Sequence, residues 1–177
     1  AWFINKRDDG PGIKREFQVS YYIGDLRFQI FDDQNNVIGV AFENANLQAN
    51  QTYHLVATSD GSNNTNGLGI YLDGINVVTN QQVNDATITN NQNTSSDVVI
   101  GEAGWFQGLT FNGKMQIVNI VKGHAYTAGE VSDLYNNGNF NLFVQKEFII
   151  TVDTTKLGVS NNDQFQFTGA VGDYAVQ

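Results

Sequence analysis

The chain has 177 residues, nine basic against eighteen acidic side chains, a formal net charge of −9 and no cysteine. A surface of that sign opposes nucleic-acid phosphates and anionic membranes. The lack of thiols excludes disulfides, thiolate nucleophiles and cysteine-ligated metals.

Gly, Asn, Thr, Val, Ile and aromatic residues dominate, a composition that favours strands over helices. Residues 1–5 (AWFIN) read as a buried strand with Trp2 in the core. Residues 6–15 (KRDDGPGIKR) read as a solvated charged turn built on Asp9-Gly10-Pro11-Gly12. From 16 to 23, Phe17, Val19, Tyr21 and Ile23 alternate with Gln18, Ser20 and Tyr22, the period of two that a strand requires. Gly24-Asp25 turns the chain, and Leu26, Phe28 and Ile30 carry the next strand. A loop over 32–36 (DDQNN) leads to a third strand over 37–42, and residues 43–51 form a polar connection.

Residues 53–74 (YHLVATSDGSNNTNGLGIYLDG) form the core hairpin. Tyr53, Leu55 and Ala57 alternate with His54, Val56 and Thr58. Asp60-Gly61 breaks that strand, and Leu68, Ile70 and Leu72 form the inward face of its return. Asp73-Gly74 suits a two-residue hairpin turn, in which both central positions need positive φ, and 75–79 close that hairpin. Residues 80–96 are polar and long for a loop, but Val83, Ala86 and Ile88 predict packing across a sheet edge. A short buried strand over 97–101 precedes a glycine-flanked loop over 102–109 that carries Trp105 and Phe106. Residues 111–122 (FNGKMQIVNIVK) read as a long central strand bent at Gly113.

One helix stands out. Thr127 and Glu130 have capping-box spacing, Val131, Leu134 and Tyr135 share a face, and Gly138 is placed to end the helix. Beyond 139 the texture changes. Phe148, Ile150 and Val152 alternate, Phe165 and Phe167 start another strand, and Gly172-Asp173 introduces a further one. The expected boundary falls between 139 and 147, giving a first domain over 1–142 and the start of a second β domain over 143–177. Both ends of the chain read as strand, which predicts a segment of a longer polypeptide. No apolar run approaches the roughly 20 residues needed to span a bilayer, and no signal peptide is recognised.

The ordered set Ala1-Trp2-Phe3, Tyr53 to Ala57 with Asp60-Gly61, Tyr71 to Gly74, Val99-Ile100-Gly101, Phe111 to Met115 and the segment 126–138 resembles the laminin-G-like, or concanavalin A-like, jelly-roll domains. The resemblance covers about residues 1–138. It departs where many members have Trp at the position of Tyr53, and where a first strand normally precedes a start like AWFIN. It implies an all-β fold: an antiparallel β-sandwich jelly roll with one short helix, here followed by part of a second β domain. The tail from Phe148 is similar to β modules of bacterial and phage surface proteins. This implies an extracellular, cell-surface or virion setting.

Glycosidases on this fold carry a Glu-x-Asp-x-x-Glu type run, which this chain lacks, and a retaining enzyme needs two carboxyls roughly 5–5.5 Å apart. There is also no G-x-S-x-G, P-loop or H-E-x-x-H motif, and His54 and His124 are the only histidines. The expectation is therefore a non-catalytic adhesion module for a glycan or surface receptor. The rival is an architectural spacer that contacts sister subunits in a homo-oligomer or virion. Neither nucleic acid nor membrane insertion is expected. Candidate ligand contacts are Trp105 and Phe106, in a loop that related jelly rolls place at the rim of the concave face, with Asn63 and Asn64. Calcium is the natural ion for an acidic, oxygen-rich site, with Asp32, Asp33 and Asp60 as candidate ligands in two loops expected to meet at one end of the sandwich. Asn and Asp are also the usual turn formers, and His54, mid-strand, reads as structural.

Overall fold

The computed structural model describes residues 1–8, 12–80, 87–103, 110–136, 165–169 and 172–176, the last two stretches as backbone alone. Two compact units divide between Val144 and Gln145. The first contains, in chain order, β1 (Trp2–Asp8), β2 (Lys14–Tyr22), β3 (Asp25–Phe31), β4 (Val37–Phe42), β5 (Leu55–Ser59), β6 (Leu68–Leu72), β7 (Ile75–Asn76), β8 (Val98–Ile100) and the helix α1 (Ala128–Tyr135). Five strands pair in the order β4-β3-β2-β1-β8 and three in the order β5-β6-β7. All these pairings are antiparallel.

The alternation read from sequence decides which faces meet. Val19 of β2, Leu26, Phe28 and Ile30 of β3, and Ile38 and Val40 of β4 form one core with Leu68 and Ile70 of β6 and with Ile88. Phe17, Tyr21, Phe42, Leu55, Ala57 and Leu72 pack around it. Leu26, Val40 and Ile70 are wholly removed from solvent, and burying each such side chain is worth about 1.5–3 kcal/mol. The result is a jelly-roll β-sandwich with one short helix.

The Asp73-Gly74 turn forms as expected, with φ of 50° and 80° at its two central residues. A Cβ on Gly74 would lie 3.0 Å from Cδ1 and 3.2 Å from Cβ of Tyr135, so the turn also seats the helix end. Gly74→Ala is therefore expected to lower the unfolding free energy by about 1–2 kcal/mol, the cost of a left-handed residue that has a side chain. Urea unfolding checks this, and an unchanged midpoint would contradict it.

The capping box is present. The Glu130 N–H donates to Thr127 Oγ1 at 3.3 Å, and the Thr127 N–H donates to Glu130 Oε2 at 2.7 Å. Val131 is buried. The helix ends two residues earlier than Gly138 implies: Asn136 takes the left-handed C-cap conformation, φ 42°, and Gly138 lies outside the described residues. Asn tolerates that conformation through its short polar side chain.

Four boundaries differ from expectation. Half of the charged stretch is strand, because β1 runs to Asp8 and β2 starts at Lys14. Lys6 and Glu16 pair across them at 2.7 Å. Ile23 is a turn residue with φ 50°, and Tyr22 pairs directly with Asp25. Tyr53 precedes β5, its hydroxyl accepting the Gln48 N–H at 2.9 Å. The expected long strand over 111–122 does not form. That stretch joins no sheet, and Ile117, Val118, Ile120 and Val121 are exposed. It is rich in Ile and Val, but a strand also needs a partner for its backbone groups.

Residues 87–96 do pack across an edge. The Ile88 N–H donates to the Asn63 carbonyl at 2.9 Å, and the Gln92 N–H donates to the Phe31 carbonyl at 3.0 Å. Val83 and Ala86 lie outside the described residues. In the second unit β9 (Phe165–Gly169) and β10 (Gly172–Val176) pair antiparallel, from Gly169↔Gly172 to Phe165↔Val176. The strand expected over 148–152 lies outside the described residues.

Candidate functional site

The two loops proposed for an ion do meet, through Thr89. Asp32 is wholly buried just past β3. Its Oδ1 accepts the N–H groups of Gln34 at 2.9 Å and Asn36 at 2.8 Å. Its Oδ2 accepts Asn36 Nδ2 at 2.9 Å and the Thr89 hydroxyl at 3.5 Å. Burial is the largest influence on this carboxyl and raises its pKa, but the donors of Asn36, Gln34 and Thr89 together outweigh it and hold the group below the usual carboxylate value. On the facing loop, Asn63 donates from Nδ2 to the Thr89 carbonyl at 3.5 Å, and Asn64 bridges Thr87.

Asp60 and Asp33 are exposed. Asp60 Oδ1 accepts the Ser62 N–H at 2.8 Å, and hydrogen bonds from Ser62 lower its pKa. Both Asp32 oxygens already face hydrogen-bond donors, which a cation would have to replace. Among the described residues no group of three or more His, Cys, Asp or Glu could hold a metal ion. The cluster braces two loops. Trp105 and Phe106 lie outside the described residues.

A different surface gathers binding chemistry. On the side of the five-stranded sheet facing away from the core, two cross-strand rungs run Trp2–Ser20–Arg27–Ala41 and Asn5–Gln18–Gln29–Gly39. Small residues on β4 leave room beside the long polar ones of β2 and β3. A depression of about 200 Å³ is lined by Trp2, Gln18, Ser20, Tyr22, Arg27 and Gln29, with no carboxylate among the described residues that line it.

Its floor is built. Arg7 Nη1 donates to Gln18 Oε1, and Gln18 Nε2 donates to Gln29 Oε1. The Arg7 guanidinium lies 4.4 Å from the centre of the Trp2 ring, and that of Arg27 lies 5.3 Å from the Tyr22 ring. Arg27 also pairs with Asp25 at 2.8 Å, and hydrogen bonding to Arg27 is the main reason the Asp25 pKa is lowered. Tyr22 is 49% exposed, and the adjacent Ile23, a β-branched residue held at φ 50°, is 80% exposed. The left-handed pair Ile23-Gly24 is what a two-residue hairpin turn between β2 and β3 requires.

Sequence reasoning placed Trp2 in the core, and the structure moves it to this rim. The cause is a register shift between Trp2 and Ile4, which pairs Trp2 with outward Ser20 but Ile4 with inward Val19. The usable signal was the outward set Gln18, Ser20 and Tyr22 beside Arg27 and Gln29, too polar and planar to be mere solvated filler.

The His54 ring stacks on Tyr135 with centroids 5.9 Å apart, and the backbone N–H of His54 donates to Asp73 Oδ1 at 2.8 Å. Burial lowers the imidazole pKa from about 6.5, opposed by the Asp73 charge. The fold thus prefers neutral His54. Its contribution is present above pH 6.5 and is lost as pH falls through the depressed folded value. The melting midpoint is expected to fall more steeply below pH 6.5 in the wild type than in His54→Phe, which keeps the stack without the charge. Parallel pH profiles in a thermal scan would contradict this.

The two packed sheets define a jelly-roll β-sandwich with an aromatic-rimmed depression on one outer face. The family model of the concanavalin A-like lectin/glucanases superfamily, in its laminin-G form, matches residues 2–132. The chain belongs to that superfamily. Searches of curated proteins and of solved structures returned no match.

Proposed function

We propose that the first unit is a non-catalytic recognition or adhesion module that binds glycan on the outer face of its five-stranded sheet, within a cell-surface or virion appendage protein. One observation carries the reading: Trp2 and Tyr22 rim a floor of Gln18, Ser20, Arg27 and Gln29. Aromatic faces stack on the apolar C–H faces of sugar rings, while a few placed polar groups fix orientation. Membership of a lectin/glucanase superfamily supports the ligand class. The described lining offers amide, hydroxyl, guanidinium and aromatic groups, which suit binding rather than the paired acids of glycoside cleavage. The loop of Trp105 and Phe106 and the loop of Asn63 and Asn64 are further candidate contacts in this reading.

A glycan array, run with calcium and with chelator, tests it. At least one glycan class is expected to bind, independently of calcium, and Trp2→Ala is expected to weaken that binding at least tenfold. Uniform absence of binding would overturn the reading. The architectural alternative draws on one observation, the exposed apolar run of Ile117, Val118, Ile120 and Val121. A stable homo-oligomer by light scattering together with an empty array would favour it.

A further inference from the structure

We infer that the ligand taken by this face is an acidic glycan, one that presents a sugar carboxylate to Gln29 and Arg27. The inference rests on the glycan reading above and specifies its chemistry. It starts from a property of the relay. Arginine has donors and no acceptor, so the atom of Gln18 facing Arg7 must be its carbonyl oxygen. The Gln18 amide nitrogen therefore faces Gln29, and it requires the carbonyl oxygen of Gln29 in turn. Each amide orientation is fixed by the one before it, which leaves Gln29 Nε2, with two N–H bonds, as the terminus of the relay.

Arg27 is two residues along the same strand and lines the same depression. One of its terminal nitrogens, Nη2, serves Asp25. A guanidinium carries five donors in a fixed fork, so that pairing leaves donors for a ligand. Ser20, between them on β2, adds a hydroxyl. Arg27 thus offers donors only, Gln29 offers its Nε2 donors beside an Oε1 that already accepts from Gln18, and among the described residues no carboxylate lines the depression. A neutral sugar hydroxyl can pair with these amide and hydroxyl groups but gains no charge assistance from Arg27. A carboxylate accepts only, and charge-assisted bonds to it are roughly twice as strong as neutral ones. The low exposure of Gln29, 9%, protects such bonds from water and salt. The chain is acidic overall, at −9, so long-range charge opposes this ligand. Selectivity comes from the local donor set.

The test is calorimetric titration of the full chain with three probes: an oligogalacturonate, its methyl ester and a neutral oligogalactoside of equal length. The acid is expected to bind at least tenfold more tightly than the ester. Gln29→Glu keeps the Oε1 acceptor for Gln18 but replaces the terminal donor with an acceptor. It is expected to reduce affinity for the acid by about ten- to a hundredfold, the range of a lost hydrogen bond to a charged group. Arg27→Gln is expected to do the same, and thermal melts of both variants establish that they fold. Equal binding of acid, ester and neutral probes would overturn the acidic specificity while leaving the glycan reading standing. Binding of none of them, with an empty glycan array, would overturn both. The wild-type comparison of acid with ester decides the point even if a variant does not fold.

Discussion

Ile70→Ala is expected to lower the unfolding free energy of the first unit by about 3–4 kcal/mol, within the range for emptying a closed aliphatic site. Ile70 is wholly buried on β6, the middle strand of the three-stranded sheet. It belongs to the same cluster as Leu26, Phe28, Ile38 and Val40 of the facing sheet. Truncation removes the contacts that join the two sheets, and neighbours held in ladders on both sides relax only partly. Ile70→Val, which removes one methylene, is expected to cost about 0.5–1.5 kcal/mol. Urea denaturation followed by tryptophan fluorescence measures both. A loss below 1 kcal/mol for the alanine variant would mean that the sheets do not share this core.

Asp32→Ala should cost about 2–4 kcal/mol, because hydrogen bonds to a buried charged group are worth more than neutral ones and the orphaned donors add a penalty. The variant leaves the N–H groups of Gln34 and Asn36 and the Nδ2 of Asn36 without their acceptor. It also cuts the tie to Thr89, through which the 60–66 loop is held. Asp32→Asn keeps one acceptor oxygen and is expected to fall between the two. The carboxyl pKa is depressed in the fold, so its stabilisation is present above its ordinary value near 3.8 and is lost as pH falls through the folded value. Calcium and chelator are expected to leave the melting midpoint unchanged. A calcium-dependent rise abolished by Asp32→Ala would show an ion where the donors now sit.

Much of the fold was legible because local signals and burial agree. Phe17, Val19 and Tyr21, then Leu26, Phe28 and Ile30, alternate without interruption and pair in simple register. Asp73-Gly74 and the Thr127–Glu130 box are short-range chemistry that needs no tertiary knowledge. The misreadings share a different cause. Residues 111–122 are rich in the Ile and Val that suit a strand, but pairing is a property of two segments, and the sequence of one does not reveal whether the other is there. Trp2 was misplaced because one register shift reverses which face an even-numbered residue takes. The candidate site was half legible: its residues were visible as the outward positions of two strands. Its depression arises from rungs that draw on four strands at once, a juxtaposition created by topology.

The chain contains two tryptophans, Trp2 on the sheet face and Trp105 in the aromatic loop, so each candidate contact surface carries one indole N–H. An ¹⁵N-correlated NMR titration with a bound glycan therefore reads both surfaces in a single experiment. The Trp2 indole signal and the side-chain amide signals of Gln18 and Gln29 are expected to shift together and saturate at a common dissociation constant. Shifts confined to Trp105, with Trp2 and both glutamine amides unmoved, would contradict the sheet face as the binding site.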